Sequence, residues 1–311
     1  MKKKITGFFM YLKQVFSEFS EDNILKYSAS LAYYTIFSLA PMLIVIMSLT
    51  SMLYARDAMQ GHIYAQIKDL VGAEAALQVQ DIIKNIHITG KSFFASVISI
   101  IVLIIGATGI FGEIQDSLNK IWGLKIKTKK TWWKLILNRL LSFSLIVSIG
   151  FIMMVSLLLN ALIAAFGNYI GRYFTNFSIT FIQVTNNTLI FIATTFLFAL
   201  MFKILPDAKI KWKDVIIGGL ITSFFFTLGK LGIGYYLGQS NLATVYGAAG
   251  SVIIIMVWVY YSAVILYLGA EFTKVYAKLH GGKIYPNEYA IWIKTEEIQV
   301  ANPALKNKVL D

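Results

Sequence analysis

The chain has 311 residues, of which 57% are hydrophobic and 14% are charged. A soluble domain has about 45–50% apolar and about 25% charged residues, so the composition excludes an ordinary soluble protein. The net charge of +12 would suit binding to nucleic acid or to an anionic membrane surface, and the position of the charges decides between them. Cysteine is absent, which excludes disulfides, thiol nucleophiles and zinc–thiolate sites.

Residues 1–28 are predicted to form an amphipathic helix. Its apolar residues recur at helical spacing and are Ile5, Phe8, Phe9, Leu12, Phe16 and Phe19. A helix with one apolar face and a basic start lies in the plane of the membrane interface. We expect this helix to anchor the amino end of the chain at the inner face.

Residues 29–278 are predicted to form an all-α, polytopic transmembrane domain of six helices. The predicted spans are 29–53, 93–112, 140–166, 179–202, 215–237 and 248–270. Each is long enough to cross a bilayer, which takes about 20 apolar residues. Residues 55–91 form a predicted outer helical segment, and residues 279–311 form a short polar tail.

Most basic residues fall on one side of the predicted membrane domain. On this topology, 22 of the 28 Lys and Arg residues share one side with both termini. The positive-inside rule therefore predicts cytoplasmic amino and carboxyl ends. The inner loop after the second span mixes lysines with Trp122, Trp132 and Trp133, which is typical of contact with lipid headgroups. The distribution favours membrane lipids as partners and argues against nucleic acid.

The residue patterns of common enzymes are missing from the sequence. A metal-dependent nuclease needs several carboxylates or imidazoles around one or two cations. His62, His87 and His280 are isolated from one another and are predicted on different sides of the membrane, and the sequence has no HxHxDH-like cluster, so a nuclease is not indicated. The chain also has no GxxxxGK[ST] loop and no GxSxG motif. We therefore predict no catalytic residue, no metal ligand and no cofactor, and we expect the protein not to be an enzyme.

Lys230 interrupts the fifth predicted span and is the main candidate for substrate binding. Asn186 and Asn187 of the fourth span fall at a similar depth in the outer half of the bilayer. A lysine beside amide groups could bind an anionic headgroup or solute, since ionisable groups inside a membrane usually serve a function. The alternative is that Lys230 extends its long stem to the interface.

Four charged residues near the inner ends of the spans form a second group. They are Glu113, Asp116, Lys203 and Glu271, and they fall at nearly the same depth. Ion pairing among them would hold three helices together. The alternative is a proton relay or an inner gate.

Glycine is concentrated in the fifth span. The residues are Gly218, Gly219, Gly229, Gly232, Gly234 and Gly238. Small residues allow helices to approach closely, so this span is predicted to pack tightly or to mediate a homo-oligomer. The alternative is that residues 239–250 form a re-entrant turn whose Asn241 and Tyr246 face a ligand. Tyr34, in the polar inner half of the first span, would extend the same internal path.

Three stretches carry a resemblance to a known family. They are KYSASLAYYTIFSLAPMLIV (26–45), GIFGEIQDSLNKIWG (109–123) and NLATVYGAAGSVIIIMVWVYYSAVILYLGAEF (241–272). With these motifs the chain resembles the YihY/BrkB family of six-helix bacterial inner-membrane proteins. The resemblance implies a multi-pass bacterial inner-membrane location. An older ribonuclease BN label for the family is regarded as a misassignment, and its members are usually described as candidate transporters.

The residues and the resemblance together predict a transporter or flippase-like exporter. Lys230 and the inner basic loops suggest that the substrate carries an anionic group. A lipid or another anionic amphiphile would fit. The alternative function is a non-transporting membrane protein that acts in envelope assembly or as a scaffold.

Overall fold

The structure, a computed structural model, describes residues 2–50, 76–78, 80, 109–127, 177–239, 246, 249–280, 282–288 and 290–293. The helices are α1 (Lys2–Glu21), α2 (Ile24–Thr50), α3 (residues 109–121), α4 (Phe177–Ile204), α5 (Trp212–Gln239) and α6 (Gly250–Leu279). The strands are β1 (Leu124–Ile126), β2 (Ala208–Lys209), β3 (Tyr285–Pro286) and β4 (Ala290–Trp292). The described part of the chain is therefore mostly helical, as predicted.

Within those ranges, three helices are long and apolar enough to cross a membrane. The qualifying stretches are Asn187–Ile204 in α4, Trp212–Leu237 in α5 and Gly250–Leu279 in α6. They coincide with the fourth, fifth and sixth predicted spans. At 1.5 Å per residue α6 is about 45 Å long, which exceeds the hydrocarbon core of about 30 Å and leaves room for a polar end.

The other predicted spans are described only in part. The first span falls on α2, and the end of the second falls on α3. The third span and the outer segment 55–91, apart from residues 76–78 and 80, lie outside the described residues, as does most of the tail. The count of six spans and the orientation of the termini therefore stay predictions.

Helix α1 is separate from α2 and packs against α6. It ends at Glu21, and Asn23 adopts a φ of 54°, a left-handed conformation that Asn tolerates and that turns the chain into α2. Val15 is fully buried against Phe272 and Val275 of α6, whereas Phe16 stays exposed. The predicted amphipathic helix thus uses one apolar face to contact the protein and leaves apolar side chains on the other side.

Close contacts join α5 to both of its neighbours. A Cβ atom on Gly218 would lie 1.8 Å from the hydroxyl oxygen of Thr273, and a Cβ on Gly269 would lie 1.9 Å from that of Thr222. On the α4 side, a Cβ on Gly219 would lie 2.7 Å from the carbonyl oxygen of Thr195. These glycines let the helix backbones touch, which confirms close packing as one use of the glycines in this helix.

Apolar stripes cover the outer faces of α4 and α5. On α5 the exposed apolar residues follow one another at intervals of three or four and are Ile216, Leu220, Phe224, Leu228, Leu231 and Tyr235. On α4 they include Ile192 and Phe196. Such faces would be unfavourable in water, and they suit contact with lipid chains.

The strands cover one end of the helices, which we call the strand-capped end. Here β4 pairs with β1 after α3, and β3 pairs with β2 between α4 and α5, both antiparallel. Residues 282–293, which follow α6, therefore pair both with the segment after α3 and with the segment between α4 and α5. The structure places these three segments together at one end, as the predicted topology does, and which face of the membrane this end occupies stays a prediction.

Candidate functional site at the strand-capped end

A buried polar centre fixes the geometry of the strand-capped end. The Asp207 carboxylate accepts hydrogen bonds from the side-chain amides of Gln115 (3.2 Å), Asn119 (3.1 Å) and Asn287 (3.1 Å). The backbone N–H of Asp207 donates to the side-chain oxygen of Asn119 at 2.8 Å. The centre connects α3, the α4–α5 segment and the chain after α6, so it holds three distant parts of the sequence in one arrangement.

At the same end of the molecule, charged residues at the end of α1 and on α6 meet in what we call the carboxyl cluster: Glu18, Asp22 and Glu271 with Lys274 and Lys278. The ammonium nitrogen of Lys274 lies 2.7 Å from Glu18, 2.8 Å from Asp22 and 3.2 Å from Glu271. Lys278 lies 3.1 Å from Glu18. Glu271 is fully buried, so the cluster has an inner side in the protein and an outer side toward solvent.

The three carboxylates are not equivalent. Glu18 accepts hydrogen bonds from Gln14 (3.0 Å) and Lys278 (3.1 Å) in addition to its ion pair with Lys274. Burial alone would raise the pKa of Glu18, but the hydrogen bonds and the charge of Lys274 outweigh it and lower that pKa. Both carboxylate oxygens of Glu271, by contrast, have no hydrogen-bond partner among the residues that the structure describes, and the contact with Lys274 is an ion pair without hydrogen-bond geometry.

The cluster already contains the cation that its carboxylates surround. The oxygens of Glu18, Asp22 and Glu271 lie within 4.8 Å of one another, a spacing that would also suit a metal ion. The Lys274 ammonium group occupies this position, so the arrangement is an ion-pair network in the first instance. It joins α1 to α6 by charge where Val15 joins them by apolar contact.

Tyr11 adds a further link between α1 and α6. Its hydroxyl group donates to the carbonyl oxygen of Phe272 at 2.9 Å, and the two rings lie 5.7 Å apart. Burial, with a smaller contribution from Tyr276, raises the pKa of Tyr11. The hydroxyl group therefore stays protonated and keeps its donated bond.

A cleft of 1110 Å³ opens next to the cluster, and we call it the lysine cleft. Its charged and aromatic lining residues are Glu21, Asp22, Tyr27, Lys120, Trp122, Lys274, Lys278, Lys283 and Trp292. Lys120 lies 5.1 Å from the ring centre of Tyr27. Lys120 and Lys283 have exposed side chains, so their charges are accessible to a ligand from the open side.

The indole rings of the lysine cleft are held by hydrogen bonds. Trp122 is buried and donates its N–H to the carbonyl oxygen of Ala270 at 3.2 Å, and Trp292 is exposed and donates to that of Ile284 at 3.1 Å. Amphipathic rings beside lysines are typical of the headgroup level of a membrane. The cleft therefore combines positive charge and ordered aromatic surface at the end of apolar helices.

The predicted substrate-binding residues that the structure describes lie on different elements. Lys230 is half-buried on α5, Asn187 is exposed on α4, and Tyr246 is exposed before α6. Tyr34 is exposed, and its ring lies 3.1 Å from the position of a Cβ atom on Gly109. Asn241 and the side chain of Asn186 lie outside the described residues. A shared substrate site for these residues stays a prediction.

The four residues of the predicted ion-pair group have other neighbours. Among the described residues, the ion pairs of Glu271 are with Lys274, and the ammonium group of Lys203 donates instead to the carbonyl oxygen of Ile210. Glu113 accepts a 3.5 Å bond from Ser117 of its own helix, and Asp116 is exposed. The ion pair of Glu271 therefore lies within α6, and Lys274 in turn connects α6 to Glu18 and Asp22 at the end of α1, the helix that was expected to lie at the membrane interface.

Sequence reasoning missed most of the carboxyl cluster. Glu18 and Asp22 are four residues apart, as are Lys274 and Lys278, so each pair lies on one face of its helix. This spacing was the available signal. It shows that two charged faces exist, but it does not show that they face each other.

Comparison with known proteins places the chain in a family. The family profile described as Virulence factor BrkB matches residues 15–289, which covers most of the chain and includes every residue of the carboxyl cluster. The chain belongs to the BrkB family. The resemblance inferred from its motifs is confirmed.

Individual relatives of this BrkB-family protein are named only as membrane proteins. The chain is 25% identical over 269 residues to a "UPF0761 membrane protein" of Saccharophagus degradans, with 86% of this chain and 60% of the relative covered. It is 24% identical over 273 residues to a "UPF0761 membrane protein" of Pseudoalteromonas atlantica, with 86% of this chain and 85% of the relative covered. It is 25% identical over 270 residues to UPF0761 membrane protein NT05HA_1801 of Aggregatibacter aphrophilus, with 86% of this chain and 91% of the relative covered.

The chain thus spans 60% of the length of the Saccharophagus relative and most of the length of the other two. No solved structure matches it. The comparisons show a membrane protein of the BrkB family.

Proposed function

We propose that this BrkB-family protein binds anionic amphiphiles, such as lipids, in the lysine cleft and moves them across the bacterial inner membrane. The observation that supports the proposal is the lining of the cleft, where four lysines and two tryptophans meet at the end of membrane helices. Lysines attract a negatively charged headgroup, and indole rings suit the depth at which headgroups lie. The apolar faces of α4 and α5 would lie against the acyl chains.

The proposed activity involves no covalent chemistry, so the protein is not an enzyme in this proposal. The described residues that line the lysine cleft offer lysine, carboxylate, amide and aromatic groups, and none is a serine, threonine or histidine. This lining favours binding by charge. The predicted topology, with both termini in the cytoplasm, would place the cleft at the inner leaflet.

Reconstitution in liposomes tests the proposal. Fluorescent anionic and zwitterionic lipids are placed in the inner leaflet, and their appearance in the outer leaflet is followed by quenching. The double variant Lys120→Gln/Lys283→Gln removes two exposed charges of the cleft and should lower the rate for anionic lipid several-fold. The matched control Lys211→Gln/Lys213→Gln removes two exposed lysines that do not line the cleft, and it should keep the native rate.

The same assay distinguishes the alternative function. A scaffold would bind anionic lipid without moving it, so native protein that leaves the lipid distribution unchanged contradicts transport. If the native protein moves anionic lipid, equal rates for the cleft variant and the control variant would contradict the lysine cleft as the binding site.

A further inference from the structure

The charges of the carboxyl cluster do not cancel. Glu18, Asp22 and Glu271 supply three carboxyl groups, and Lys274 and Lys278 supply two ammonium groups. With all five groups ionised, the cluster would have one uncompensated negative charge. Such a charge is costly here, because Glu271 is fully buried and lies beside two other carboxylates.

The hydrogen bonds indicate which of the three carboxyl groups is the least favourable one to ionise. Glu18 accepts bonds from Gln14 and Lys278, and Asp22 accepts a bond from Lys274 at 2.8 Å. Within the described ranges, Glu271 accepts no hydrogen bond, although both of its oxygens are buried. An ionised carboxylate needs donors, whereas a protonated one can donate to a neighbouring carboxylate. Glu271 is therefore the group best suited to hold a proton and donate it toward Asp22.

Other charged or titratable groups lie around the cluster on the elements packed against it. On α1 these are Tyr11 and Glu21, on α2 Tyr27, on α3 Lys120, on α5 Asp214, and beyond α6 Lys283. The Asp214 carboxylate lies 2.6 Å from the Cβ position of Gly282, which lines the lysine cleft. Tyr11 donates to a backbone carbonyl and Glu21 accepts a bond from Ser17. Among the described residues, the cation paired with Glu271 is Lys274, which also pairs with Glu18 and Asp22.

We propose that the carboxyl cluster is a proton-binding site in which one proton, held between Glu271 and Asp22, keeps α1 attached to α6. The bound proton brings the net charge of the cluster to zero. Loss of the proton leaves three carboxylates against two ammonium groups, and repulsion then separates the carboxylates of α1 from Glu271. Because Glu21, Asp22 and Asn23 line the lysine cleft, this movement of α1 widens the cleft.

Infrared spectroscopy on the full chain in lipid nanodiscs detects the proton directly. The native protein should show the C=O band of a protonated carboxylic acid at neutral pH, and the band should disappear at alkaline pH. Glu271→Gln, an uncharged variant of the same shape, should lack the band and keep its fold. Glu288→Gln, which removes an exposed carboxylate of the strand-capped end, should retain it. A band that is missing from native protein, or that survives Glu271→Gln, overturns the proposal.

Thiol labelling measures the attachment of α1. The chain contains no cysteine, so a single introduced thiol is the only target. Val15→Cys places the thiol between α1 and α6, where Val15 is 0% exposed, and Phe16→Cys places it on the free side, where Phe16 is 59% exposed. The measured quantity is the labelling rate of Val15→Cys divided by that of Phe16→Cys. Thiols become more reactive as the pH rises, and this ordinary increase cancels in the ratio.

The ratio should rise with pH by up to about tenfold per pH unit, the limit for the loss of one proton. In the Glu271→Gln background it should stay low and constant. A ratio independent of pH in the native background, or one whose rise is unchanged by Glu271→Gln, overturns the proposal. Both experiments are made without a transported ligand, so the outcome does not depend on the proposed transport function.

Discussion

Two contacts of α6 are held by different forces. Where α6 meets α5, Gly269 and Thr273 lie directly against Thr222 and Gly218, and van der Waals packing joins the helices. Where α6 meets α1, Lys274 joins the two through the carboxylates of Glu18 and Asp22. The strength of van der Waals packing does not depend on pH, whereas the charge of these groups does. The contact with α5 should therefore be a constant support, and the contact with α1 at the strand-capped end should be the part that responds to pH.

The largest effect on stability is expected from Asp207→Ala in the strand-capped end. The substitution leaves the amide groups of Gln115, Asn119 and Asn287 without their shared acceptor, at a cost of about 3 kcal/mol. Limited proteolysis should then cut residues 282–293 while α4, α5 and α6 stay protected. Loss of all protected fragments together would show that the two regions do not unfold separately.

A smaller effect is expected in the packed region. Gly219→Ala brings a Cβ to 2.7 Å from the Thr195 carbonyl oxygen and 2.9 Å from the Ala199 nitrogen, and these backbone atoms cannot move cheaply. We expect a loss of about 2 kcal/mol in the unfolding free energy, measured by denaturation in detergent. The matched control is Gly232→Ala, because no atom of the described part of the chain lies within 4 Å of its Cβ position. Equal stability of the two variants would contradict the close packing of α4 and α5.

Glu18→Gln should cost about 1 kcal/mol near neutral pH, because it weakens charged hydrogen bonds at the end of α1. The pKa of Glu18 is lowered in the folded protein, so its stabilisation is complete above the unfolded pKa of about 4.3 and is lost as the pH falls through the folded pKa. Melting curves of native and variant protein should therefore converge at acid pH. Curves that stay equally separated at every pH would argue against an ionised Glu18.

The smallest effect on stability is expected from Gly232→Leu, which tests self-association instead. Gly218, Gly219 and Gly229 contact neighbouring helices of the same chain. We therefore propose that the outer face of α5 near Gly232 is the face through which two copies of the chain associate. Gly232→Leu should change the unfolding free energy by less than about 0.5 kcal/mol but weaken association in nanodiscs or detergent. Unchanged association in this variant would exclude this face.

The sequence was sufficient for the helices in the membrane and for the family. The fourth and fifth spans were predicted within a few residues of the ends of α4 and α5, because length and apolar composition are local properties of the chain. The sixth was predicted to end at residue 270, whereas α6 continues to Leu279. Gln115 and Asn119 were inside a motif that indicated the family, yet their role as donors to Asp207 was not foreseen. Their acceptor is about 90 residues away, and no local pattern connects the two.

The sequence by itself determined that this protein belongs in a membrane, because the cost of exposing long apolar runs to water does not depend on the neighbours of a helix. Only the tertiary structure decided which charges meet. Glu271 was expected near Lys203, but α1 folds back onto α6 and brings Glu18 and Asp22 to it instead. The energy of an ion pair depends on separation and burial, and both are set by which helices pack together.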